Sequence, residues 1–137
     1  NLVDLIIIYL LVFIKIKSKK LIIKSTKFKD LKIIISKIYN DKRGFFREIF
    51  KSHFFKKKKF IFTCVSSSKK NVLRGLHLQL SNSQAKLITV TRGKIFDVAV
   101  DLREDSPTYL NWHSEILSET NGRSLLFLKG LLMDFKP

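Results

Sequence analysis

NVLRGLHLQLSNSQAKLITVTRGKIFDVAVDLR, residues 71–103, is the stretch that reads as one continuous architecture. Val72, Leu73, Leu76, Leu78 and Leu80 surround His77 in an alternating apolar pattern, which predicts a strand. Two further runs, 86–91 and 94–101, are rich in Val, Ile, Leu, Thr and Phe, and Arg92-Gly93 between them is a tight-turn signal. Successive side chains of a strand point to opposite faces. His77 and Gln79 are therefore expected to share a face, with Gly75 leaving room beside them, and Asp97 and Asp101 to share a face of their own strand. The stretch brings Arg74, His77, Gln79 and Lys86 near one another in sequence. Singly, each has a plainer reading: a lone strand histidine is more often structural, and single cations are more often solvated.

Outward from this block the chain continues as β. An apolar run at 31–38 leads to the turn Asn40-Asp41-Lys42-Arg43-Gly44, and an extended segment follows at 45–50. Residues 60–65 form another β run before the polar loop Ser66-Ser67-Ser68-Lys69-Lys70, and 116–118 and 125–128 supply short strands. Pro107 and Pro137 lie outside every strand so assigned, where a residue without an N–H does no harm. Many short strands with turn signals between them predict an all-β sandwich or barrel. There is no internal repeat and no Gly-rich phosphate loop.

Composition sets outer bounds. At 137 residues the chain suggests one domain, large enough for a core. Its single cysteine, Cys64, cannot form an internal disulfide and has no ligand neighbours at metal spacing, so it is expected to be a small buried apolar residue. Nothing points to an oxidising compartment, and a cytoplasmic setting is expected. The net charge of +16 is lopsided: residues 1–70 hold 19 Lys+Arg against 4 Asp+Glu, and residues 71–137 hold 8 against 7. Such an excess can mark a nucleic-acid or anionic-membrane partner. No helix-turn-helix, zinc spacing or RNA-recognition strand motif accompanies it, however. The lysines come mixed with Ile, Phe and Asn, as AT-biased coding would supply them, so neither a nucleic-acid nor a membrane partner is expected. The apolar run NLVDLIIIYLLVFI, residues 1–14, ends at Lys15, short of the roughly 20 residues of a membrane span. Its order of charges is also wrong for a secretory signal. Residues 1–23 are expected to be an extension, with a membrane anchor as the lesser alternative, and residues 24–137 to be the domain.

Several motifs in order resemble the dTDP-4-dehydrorhamnose 3,5-epimerase family of the cupin superfamily. They are Asp41-x-Arg43-Gly44-x-Phe46-x-Glu48, Val72-Leu73-Arg74-Gly75-Leu76-His77-x-Gln79 and Gln84-Ala85-Lys86-Leu87, followed by the run from Arg92 to Arg103. Ser106-Pro107-Thr108, Trp112 and Leu117-Ser118-x-x-Asn121 complete the set, and the resemblance runs from about Ser25 to about Phe135. It implies a cupin jelly roll, incomplete at its C-terminal end, that binds ligand inside the barrel. It also implies epimerisation at C3 and C5 of a dTDP-4-dehydro sugar, with the dTDP-sugar as partner, a homodimer, and neither metal nor cofactor.

That reaction needs a base, a group to stabilise the enolate beside the C4 ketone, and an acid on the opposite face. His77 is the expected base, because an imidazole can take and return a proton near neutral pH. Lys86 is the expected fixed cation beside the enolate. Arg74 suits either the enolate or phosphate oxygens, which its planar fork matches, and Gln79 is expected to bind substrate. By resemblance, Arg43 and Glu48 hold the nucleotide portion with Phe46 nearby. Asp97 and Asp101 are left open between supporting the site and satisfying edge and loop hydrogen bonds.

The chain also departs from the family pattern. Phe62 and Cys64 stand where the family shows a Gln-x-Asn pair, and Met133 stands in place of a second active-site histidine. The sequence ends at Pro137, before the family's acid tyrosine and the aspartate that orients the base. A base without its orienting carboxylate loses tautomer control, and residues that act as a unit fail together. As a free-standing protein the chain is expected to be inactive or severely impaired. The contrasting reading is a non-catalytic basic remnant that binds nucleic acid or a membrane surface.

Overall fold

The computed structural model describes residues 21–55, 60–77, 84–128 and 131–136. Among these, ten strands form two four-stranded antiparallel sheets and a separate hairpin. Sheet I is ordered β1 (Ile22–Ser25), β2 (Leu31–Ile35), β9 (Arg123–Phe127), β6 (Lys86–Thr89). Sheet II is ordered β5 (Arg74–His77), β10 (Leu131–Lys136), β7 (Lys94–Asp101), β8 (Trp112–Ser118). The hairpin pairs β3 (Ile38–Asp41) with β4 (Gly44–Arg47). Neighbours in each sheet are mostly distant in sequence, as in a jelly roll, and the expected all-β fold is the one observed.

Alternation in β7 fixes the geometry of the sandwich. Asp97, Ala99 and Asp101 are fully buried, while Lys94 and Phe96 are exposed, so the odd-numbered side chains face inward. They meet a core of Phe28, Leu31, Val90, Leu117, Leu125 and Phe127, against which Ile33, Ile88 and Ile95 pack. Each fully buried Leu or Phe contributes about 2 kcal/mol through apolar area removed from water.

Sheet I is covered on its outer face too. Leu21, Ile34, Phe55 and Leu126 form a second cluster with Phe60, Leu87 and Leu128. A 3₁₀ turn at Ser52–Phe55 brings Phe55 flat against Phe50 (centroids 5.5 Å apart) and edge-on to Phe60 (5.2 Å). Burial on both faces explains why 125–128 reads as a continuous apolar run with no alternation. The outer face of sheet II is open instead: Phe96 lies across from Ile116 and Val100 across from Trp112, and Phe96, Ile116 and Trp112 are all exposed.

Several expectations need correction. Residues 60–65 form no strand: Ile61, Phe62 and Val65 are 84%, 67% and 89% exposed, and the segment finds no ladder partner among the described residues. Alternation and apolarity favour an extended chain, but only a neighbour turns it into a sheet. Cys64 lies in this segment and is exposed, not buried. Arg92-Gly93 does turn the chain, with Gly93 at φ 76°, yet β6 and β7 do not pair, so the turn carries the chain from sheet I to sheet II. The apolar run 31–38 divides into β2 and β3. Ser36 ends β2 by donating its backbone N–H (2.9 Å) and its hydroxyl (3.3 Å) to the carbonyl of Gly122. Gly122 adopts φ 67°, and a Cβ there would lie 2.4 Å from the Ser36 carbonyl oxygen, so only glycine fits.

β1 and β10 were not anticipated. The 1–14 run lies outside the described residues. Among those described, no helix is long and apolar enough to cross a membrane.

Candidate active site on the inner walls

His77 and Arg74 are three residues apart, so uninterrupted alternation would send them to opposite faces. The pairing of β5 with β10 is interrupted instead. His77 lies opposite position 133 and Arg74 opposite position 135, so three steps on β5 match two on β10. This is a bulge, which absorbs one residue and puts both side chains on one face. Positions 133 and 135 lie in turn opposite Ala99 and Asp97 of β7. Arg74 and His77 thus stand on the inward face that carries Asp97, Ala99 and Asp101. Gln79 lies outside the described residues.

Lys86 belongs to the facing wall. It lies opposite Phe127, and Ile88 opposite Leu125, and these partners belong to the core that sheet I shares with sheet II. Among the described residues both β5 and β6 are edge strands, and there the packed core gives way to polar side chains: His77 is exposed, and Arg74 and Lys86 are half-buried. Arg74 Nη2 donates to the carbonyl of Ser67 at 2.7 Å, which steadies the guanidinium against the polar loop.

The hairpin residues are placed apart from these three. Arg43 sits in the turn at the hairpin tip, its side chain 90% exposed, and its Nη2 donates to Asp41 Oδ2 at 2.7 Å. That contact holds the Asp41 carboxyl below its ordinary range. Phe46 is exposed and faces Tyr39 across the hairpin with ring centroids 6.3 Å apart. Glu48, just past β4, forms an ion pair with Lys51.

The two aspartates have different surroundings. Asp97 is fully buried in the inward row that includes Arg74 (through position 135) and Glu115. Asp101 is also fully buried, and its carboxylate is taken up by the following loop. Arg103 donates Nε to Oδ1 and Nη2 to Oδ2, each at 2.7 Å, and the hydroxyls of Ser106 and Thr108 donate to Oδ2 at 2.6 Å. Above all the Arg103 contact holds this carboxyl far below the usual carboxylate range. Arg103 also ion-pairs with Asp30, and its own pKa is raised, chiefly by Asp101. Asp101 therefore has the geometry of a loop anchor.

Other polar groups in the sandwich escaped sequence reasoning. His113 and Glu115 lie opposite Ala99 and Asp97, hence on the inner face, and Arg123 Nη1 donates to Glu115 Oε2 at 2.7 Å. The His113 ring meets the buried Phe28 edge-on at 6.3 Å. Their spacing in W-H-S-E is the alternation of a strand, which was legible, but nothing marked which face was inward.

Two four-stranded antiparallel sheets around a shared core, with an imidazole and two cations on their inner walls, define a jelly roll of the cupin type. A family model described as dTDP-4-dehydrorhamnose 3,5-epimerase matches residues 25–136, and the chain belongs to that family. It is 41% identical over 114 residues to the dTDP-4-dehydrorhamnose 3,5-epimerase of Neisseria gonorrhoeae, covering 80% of this chain and 35% of that protein. To the Salmonella typhimurium enzyme of the same name it is 40% identical over 121 residues, covering 84% of this chain and 66% of that one. It superposes on the crystal structure of dTDP-6-deoxy-D-glucose-3,5-epimerase from Legionella pneumophila, in complex with dTDP-4-keto-L-rhamnose. There the TM-score is 0.80 and the identity 42%, covering 85% of this chain and 65% of that one. The chain thus spans about a third to two thirds of the length of these relatives.

Proposed function

We propose that the chain carries the base-bearing part of a 3,5-epimerase site. It binds dTDP-4-dehydro-6-deoxy-D-glucose, and His77 removes the proton from C3 or C5 on the way to dTDP-4-dehydro-L-rhamnose. The observation that carries the reading is the register that puts His77 and Arg74 on one inward face, with Lys86 on the wall opposite. A hydrogen beside a ketone is acidic because the electron pair left behind moves onto the carbonyl oxygen. Lys86 stabilises that enolate oxygen as a fixed cation, and Arg74 pairs with the diphosphate or assists Lys86. Gln79 contributes a substrate hydrogen bond, while Arg43, Phe46 and Glu48 hold the nucleotide end. Asp97 supports the charged row beside Arg74. The ligand in the Legionella complex is a dTDP-4-keto sugar, which supports this substrate class.

Return of a proton from His77 to the face it left gives exchange with solvent but no inversion. Inversion needs an acid on the opposite face, a role assigned to none of these residues. The reading takes residues 24–137 as the functional domain, working in the cytoplasm as a homodimer. Phe45, Ile61, Phe62 and Val65 are exposed apolar side chains that association would cover.

The test is incubation with dTDP-4-dehydro-6-deoxy-D-glucose in deuterated water. Deuterium is expected at C3 and C5, ahead of any epimerised product. Exchange that is absent, or that persists unchanged in His77→Ala, sinks the assignment.

A further inference from the structure

Among the described residues the two strands of the hairpin pair only with each other, and the hairpin is tied to the sandwich at its base. Arg47 is there, opposite Ile38 and at the end of the hairpin away from the turn. Its Nε donates to Ser36 Oγ at 2.7 Å. Nη2 donates to the Arg123 carbonyl and to Ser124 Oγ, both at 3.1 Å. Nη1 reaches the carbonyls of Ser118 at 3.4 Å and Val90 at 3.5 Å. These acceptors lie at the ends of β2, β6, β8 and β9, so one guanidinium spans both sheets. All of them are neutral, and burial lowers the Arg47 pKa with no carboxylate to offset it.

Phe46 precedes Arg47 in β4 and leaves the backbone on the other side, since alternate side chains of a strand diverge, and Glu48 follows just past the strand. We propose that Arg47 is a positioning residue: by locking the hairpin base across the sandwich end, it sets the reach and angle at which Phe46, Glu48 and the tip residue Arg43 meet a nucleoside diphosphate. The inference rests on the nucleotide-holding roles proposed above for those three. The tip lies four residues beyond the clamp, roughly 13 Å at the rise of a strand, so a small rotation at the base moves it by ångströms. A planar fork with fixed donors suits this task, and a lysine ammonium can satisfy only part of the acceptor set.

The experiment compares wild type, Arg47→Met and Arg47→Lys by calorimetric titration with dTDP, by thermal melting, and by the deuterium-exchange rate at saturating sugar nucleotide. Arg47→Met is expected to weaken dTDP binding at least tenfold while exchange at saturation stays within twofold of wild type. Arg47→Lys is expected to be intermediate, about threefold weaker. A residue that served only stability would lower the melting temperature and leave the affinity of the folded protein unchanged. Equal affinity in wild type and Arg47→Met overturns the inference while leaving the site reading intact. If Arg47→Met fails to fold, the lysine variant decides, and wild-type affinity there overturns the proposal. Wild type that binds no dTDP overturns the site reading itself.

Discussion

The two ends of the sandwich are each closed by an arginine, and they use opposite electrostatics. At one end Arg47 donates to carbonyls and hydroxyls, all neutral, and burial depresses its pKa. At the other Arg103 lies between Asp101 and Asp30, and its pKa rises because the charged form is stabilised. The first end is held by geometry and has no titrating partner. The second is held by charge, with one member, Asp101, fully removed from solvent. The same residue type therefore gives one clamp with no carboxylate among its acceptors and one built on two carboxylates. That difference fits their positions: the Arg47 end carries the hairpin, and the Arg103 end anchors the 102–111 loop.

The largest expected effect is at the charged end. Arg103→Met leaves a buried carboxylate without its cation and should cost about 3–5 kcal/mol in denaturant unfolding. The double variant Arg103→Met/Asp101→Asn should recover much of that loss, since the stranded charge is gone. Arg47→Met should cost less, about 2 kcal/mol, because it strands dipoles rather than a charge. A larger loss at Arg47 than at Arg103 would break the comparison.

Acid separates the ends further. The folded-state pKa of Asp101 lies below its ordinary value of 3.8, so its stabilisation is complete above about pH 4 and disappears as pH falls through the strongly acidic range. Wild type should lose stability over that window, and the double variant should show a flatter profile. Parallel acid profiles for the two proteins would contradict the assignment.

How much was legible in the sequence differs between these ends for a physical reason. Asp101-x-Arg103 is a local pattern, and the residues that complete it, Ser106 and Thr108, follow within one loop. Arg47 shows only as a charge between Phe46 and Glu48, and its acceptor Ser124 is 77 residues away, so nothing local could announce it. The same distinction runs through the fold. β7 was readable as a strand from its run of Ile, Phe and Val, but its inward face was not, since the polar Asp97 and Asp101 are buried while Phe96 is exposed and Val98 and Val100 are half-buried. Residues 60–65 have an equally strand-like composition, yet a strand needs a neighbour, which composition does not supply. At the site, the motifs named Arg74 and His77, but their common face depends on a bulge set by pairing with β10, far along the chain.

The proposed role of His77 is that of a base on the inner wall. His77 is exposed, so His77→Ala should change stability by no more than about 0.5 kcal/mol. Deuterium incorporation at C3 and C5 of dTDP-4-dehydro-6-deoxy-D-glucose is the direct measurement. Wild type is expected to incorporate deuterium, and a folded His77→Ala protein that still binds dTDP is expected to lose it. Equal incorporation by both proteins, or none by wild type that binds the nucleotide, would contradict it.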